Sequence, residues 1–184
     1  PALVRSRPTW GGRGSETLWL EALSSSDAAR MLDDLIPTEL PAGVREVVIQ
    51  RAEGNPFFVE ELVRTLIDIG VLERQNGGWR AHGLADELVV PDTVRAVLAA
   101  RIDLLEPTEK AALQAAAVIG RTFWSSPVYE LLEGLEPDLR LLEERDFIRH
   151  RSGSSIVGER EWAIKHALTR EVAYESLPTT KRAR

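Results

Sequence analysis

Hydrophobic positions along this chain recur mostly at helical spacing, and Gly and Pro mark the joints between the runs. The most sharply punctuated stretch is Gly54-Asn55-Pro56-Phe57-Phe58-Val59-Glu60-Glu61-Leu62. Gly54 can take a positive φ at the end of one helix, and Pro56 suits the first position of the next, where a missing N–H costs nothing. Asn55, held extended by the proline after it, can cap that new helix. Phe58, Leu62, Thr65, Leu66 and Ile69 then follow at helical spacing, and Gly70 reads as the residue just past the helix end. Upstream, Val44, Val47, Val48 and Ala52 predict a helix running from Pro41 to the corner. Ser24 to Ser26 ahead of Asp27 give a capping cluster for a helix reaching Ile36. These three helices make one small unit.

Shorter alternating runs predict strands. Val71 to Arg74 and Gly78 to Ala81 flank Asn76-Gly77, a strong hairpin signal, with Trp79 as a packing residue. Leu3-Val4 and Leu18-Trp19-Leu20 read as two short strands around the loop Gly11-Gly12-Arg13-Gly14, and two such strands need a larger sheet to join. From Pro91 a second unit begins, where Val94, Val97, Leu98, Ile102 and Leu105 form one apolar stripe interrupted by Arg101. Helices follow from Pro107 to Ile119, around Val128 to Leu132, and from Pro137 to Arg145. Phe147 to Arg151 and Glu161 to Lys165 alternate as strands about the polar loop 152–160, and a last helix spans Leu168 to Tyr174. Helix, helix, helix and two-stranded wing is the order of a winged helix. The predicted class is therefore mainly α, a three-helix unit followed by a winged-helix domain with short β-hairpins. Its parts are 1–23, the end of an α/β domain, then 24–90 and 91–184. The chain opens at Pro1 without methionine and closes at Lys181-Arg182-Ala183-Arg184 without a capping pattern, so both ends are expected to be cuts in a longer protein.

Composition changes this picture little. At 184 residues, with 43% hydrophobic and 28% charged, the chain can build real cores. No apolar run approaches the ~18 residues that cross a bilayer, and no signal-peptide pattern opens the chain. The absence of cysteine excludes a disulfide framework and a thiolate metal site and fits the cytoplasm. His82, His150 and His166 lie far apart without helical His or Cys partners, so no metal site is expected. Glu60-Glu61, Glu143-Glu144 and Asp33-Asp34 read as solvated helix faces, Lys165 as a surface charge. Catalytic residues are not expected. Nothing matches the phosphate cradle G-x-x-x-x-G-K-S/T, and no hydrophobic strand ends in the acidic pair that would hold Mg²⁺. The helix of Pro137 to Arg145, which would enter a DNA groove, sets Asp138, Glu143 and Glu144 against Arg140 and Arg145. With a net charge of -6 overall, this argues against direct DNA binding.

Two stretches carry a resemblance to a known family. The Gly-x-Pro corner at Gly54 to Leu62 and the run His166-Ala167-Leu168-Thr169-Arg170-Glu171-Val172-Ala173-Tyr174 resemble the STAND class of signal-transduction ATPases. The nearest kin are those of LuxR-type transcription regulators and class III nucleotide cyclases. The resemblance implies that residues 24–90 are the helical lid over a nucleotide, with Pro56 packing on its adenine. It implies that His166 of the winged helix contacts the β-phosphate of ADP and holds the closed state. It implies that Arg7, before Pro8, senses the phosphates at the end of the nucleotide-binding domain. The implied cofactor is ADP or ATP, bound in a full-length parent ATPase and not tightly by this chain, which lacks the cradle. The implied partners are the nucleotide-binding core, downstream helical repeats and further copies on activation. Two other functions fit the residues without the resemblance: a protein-interaction module with no nucleotide role, and a winged-helix DNA-binding regulator.

Overall fold

The computed structural model describes residues 18–38, 40, 42–75, 78–82 and 91–178. Ser24 opens the first helix, α1 (Ser25–Leu35), its hydroxyl accepting from the Asp27 N–H at 3.1 Å. α2 (Ala42–Ala52) lies against α1, and Arg45 grips both carboxylate oxygens of Asp33 across the pair. At the corner, Glu53 and Gly54 stand at φ 47° and 73°. Asn55 Oδ1 then accepts from the N–H of Phe57 and of Phe58 at 3.1 and 3.4 Å, starting α3 (Pro56–Asp68). α3 ends in a Schellman motif: Gly70, at φ 74°, donates to Ile67 and Val71 donates to Leu66. The corner and both ends of α3 thus follow the sequence signals, except that Ile69 is exposed and the apolar stripe stops at Leu66. Ala28, Leu32, Val44, Val48, Leu62 and Leu66 form the first core.

β1 (Leu72–Gln75) pairs antiparallel with β2 (Gly78–Ala81), setting Arg74 opposite Trp79, whose ring packs on the first core. The turn residues Asn76 and Gly77 fall outside the described residues, as do Arg7 and the loop of Gly11 to Gly14. Leu18, Trp19 and Leu20 are described and lie in no strand. All three side chains are exposed. The expected strand is not formed there, and Leu3-Val4, the strand expected to accompany it, falls outside the described residues.

The second unit is built on α4 (Val94–Asp103), capped by Thr93, and α5 (Pro107–Ile119), opened by a capping box between Glu106 and Glu109. There follow β3 (Thr122–Trp124), α6 (Ser125–Leu131), α7 (Leu139–Glu144), β4 (Ile148–His150), β5 (Glu161–Ile164) and α8 (Ala167–Glu175). The three strands pair antiparallel in the order β3-β5-β4, and α5, α6 and α7 pack beside them: a winged helix whose wing is 151–160. β5 is the central strand, and all four of its residues are buried instead of alternating. The wing is tied down by Glu161, whose Oε2 accepts from the Ser155 N–H and hydroxyl at 2.8 and 2.7 Å. Leu98, Leu113, Phe123, Leu142, Phe147, Trp162 and Val172 fill the second core.

Candidate functional site

The N-terminal turn of α3 presents two adjacent residues to two different neighbours. Pro56 is exposed and forms part of the wall of an open groove of about 500 Å³. Leu23, Met31 and Leu35 supply the groove's apolar side chains and Asp27, Arg30 and Asp34 its charged ones. An exposed proline ring beside apolar side chains is a surface on which a flat ring can stack. Phe57, the next residue, turns to the winged helix and lies against the ring of His166, centroids 4.1 Å apart and planes tilted by 35°.

His166 owes its position to the turn that ends β5, where the Lys165 N–H donates to the carbonyl of Phe147 at 3.0 Å. It is the N-cap residue of α8, with extended backbone at φ -123° and ψ 142°, yet its side chain makes no capping bond. The imidazole is thereby free to lie on Phe57. Its Nε2 is buried and meets no hydrogen-bond partner among the described residues, and the carboxylate of Glu60 stands 4.0 Å away. Buried polar atoms normally find a partner, which makes this nitrogen an exception among the described residues. Lys165 is half-buried and lies 3.7 Å from Glu60 while pairing closely with Asp146, which also takes Arg64 at 2.8 Å. Burial pushes the His166 imidazole below its usual pKa, the Lys165 charge pushes the same way, and Glu60 and Asp146 oppose both. That direction favours the neutral ring, which can donate one hydrogen bond and accept another.

Pro56 and His166, separated by 110 positions in sequence, are thus joined through Phe57. Two expectations change. Lys165 is no surface charge, because the β5–α8 turn lays it across the carboxylates of Glu60 and Asp146. Glu60 faces that same turn. Glu61 is 2% exposed and paired with Arg101, so the Glu60-Glu61 face is an interface and not a solvated one. Phe57, Glu60 and Arg101 were the functional neighbours hardest to see in advance; only the lone arginine in the apolar stripe of α4 hinted at one of them.

Elsewhere the charged groups serve local structure. His82 faces Glu73 at 3.5 Å, and His150 sets its ring edge-on to Trp162 at 5.2 Å. Among the described residues no cluster of His, Asp and Glu could hold a metal ion, and no helix is long and apolar enough to cross a membrane. On α7, Asp138 caps the helix and engages the Arg140 guanidinium, and Glu143 accepts the His150 N–H at 2.7 Å. The helix that would meet DNA therefore presents acids and an arginine already neutralised. Compared with protein-family models, with curated proteins and with solved structures, the chain matches none.

Proposed function

We propose that this chain is the nucleotide-responsive lid and winged-helix segment of an ATP/ADP-switched signal-transduction regulator of the cytoplasm. The observation that carries the reading is the contact of Phe57 with His166, which brings the residue next to an exposed proline against an imidazole whose buried Nε2 has no hydrogen-bond partner among the described residues. A purine on Pro56 and a phosphate oxygen at His166 Nε2 would span the lid and the winged helix together. The phosphate would accept a hydrogen bond from the imidazole and be drawn by Lys165, displacing the Glu60 carboxylate from that neighbourhood. ADP held this way against the nucleotide-binding core of the parent favours the closed state. Exchange for ATP releases it, frees the parent to oligomerise, and hands the signal to downstream helical repeats. Each contact matters only as far as it differs between the two states.

Calorimetry with ADP tests this reading on the present chain and on one continued upstream through the nucleotide-binding core. No binding is expected to the present chain, because it holds no phosphate cradle. The longer chain is expected to bind, and His166→Ala to weaken it about tenfold or more, the worth of one hydrogen bond to a charged group. Equal affinity with and without the His166 imidazole would overturn the assignment.

A further inference from the structure

Arg101 is 1% exposed and is the largest fully buried side chain among the described residues. Its guanidinium uses its donors in three directions. Nη1 donates to Glu61 Oε2 at 2.5 Å and Nε to Asp68 Oδ2 at 2.7 Å, both on α3. Nη2 donates to the carbonyl of Arg145 at 2.7 Å, in the turn between α7 and β4. The guanidinium carbon also lies 4.5 Å from the ring centroid of Phe147 in that turn, a cation–π contact. One side chain of α4 is thus bonded to the three-helix unit and to the winged helix at once. Arg64 pairs with Asp146 and Lys165 with Glu60 across the same seam, and at the other end of α4 Arg51 pairs with Asp92.

A seam of apolar side chains could slide by fractions of an ångström at little cost. A planar fork with three directed bonds is satisfied in one orientation only. Strength is not what the charges add, since apolar residues of the same volume often hold a buried seam as well or better. What they add is direction. Losing one partner is costly in the other sense, because the remaining charges stay buried without compensation. Burial already pushes the Glu61 carboxyl above its usual range, with Arg101 pulling it back.

We infer that Arg101 is an orientation latch, which sets the angle of the winged helix on the three-helix unit and with it the spacing between Pro56 and His166. The latch rests on α3, α4 and the α7–β4 turn alone and holds whichever ligand visits Pro56.

The chain has no cysteine, so Glu46→Cys on α2 and Glu144→Cys on α7 place two spin labels on exposed sites across the seam. Pulsed electron paramagnetic resonance is expected to give one narrow distance distribution for the doubly labelled parent. Adding Arg101→Ala is expected to broaden or split that distribution while circular dichroism shows the helix content retained. Asp68→Ala, which removes one of the latch's acceptors near the end of α3, is expected to broaden it less. It also decides the matter if Arg101→Ala does not fold. A distribution that stays narrow and unmoved in folded Arg101→Ala overturns the latch, as does one unmoved in Asp68→Ala where the first variant does not fold.

Discussion

A β-carbon at position 54 would sit 2.3 Å from the carbonyl oxygen of Leu23, on a backbone that already stands at φ +73°. Gly54 also accepts the Leu23 N–H on its own carbonyl at 2.8 Å, so the segment before α1 and the corner are locked together there. Gly54→Ala is therefore expected to cost at least about 1–3 kcal/mol from the backbone conformation, before the clash is added. Denaturant unfolding reads that loss, and an unchanged midpoint would contradict it. His166 gives a second prediction. Because burial lowers its pKa, the folded chain binds this proton less readily than the unfolded chain does. Its neutral form leaves stability intact above the ordinary imidazole value near about 6.5 and costs stability as pH falls through it. Glu61 acts in the opposite sense, since its raised pKa favours the proton in the folded state. His166→Gln should remove the His166 part of the slope of stability against pH between about 7.5 and 5.5, measured against the parent over the same range. An unaltered slope would mean the imidazole is not held as described.

Elements with chemical punctuation were readable before any coordinates. Asn55 is an example: its carboxamide takes two N–H groups of the first turn of α3, and Asn55→Ala should cost about 1 kcal/mol in thermal or denaturant unfolding. An unchanged melting temperature would show that Pro56 alone sets the helix start. The β1–β2 hairpin was equally legible, because Asn-Gly turns and alternating flanks are local signals. β3 was not. Thr122-Phe123-Trp124 is three residues long and is held by β5, about forty positions onward, so nothing within the segment announces a strand. The reverse holds at Leu18 to Leu20, an apolar run that looks like a strand yet is exposed and lies in no strand, because apolar spacing alone does not supply a pairing partner. Arg101 was visible as an interruption in a stripe, yet its acceptors lie 33, 40 and 44 positions away, a relation that only the tertiary fold creates.

On the scale of the whole molecule, the two cores meet along α4. Val97 is buried in the first and Leu98 in the second, while Val94 touches both. The candidate site and the Arg101 latch sit along this same seam, which is why the corner motif and the histidine motif could be seen singly in the sequence but not as neighbours. Adjacent positions of one helix that belong to different cores also make its rotational phase a fixed quantity. Each residue turns an α-helix by about 100°, so a single insertion before Val97 would send every later side chain to the wrong side, the guanidinium included. An insertion within α4 is therefore expected to disturb both cores at once, whereas one in the wing at 151–160 leaves that phase unchanged.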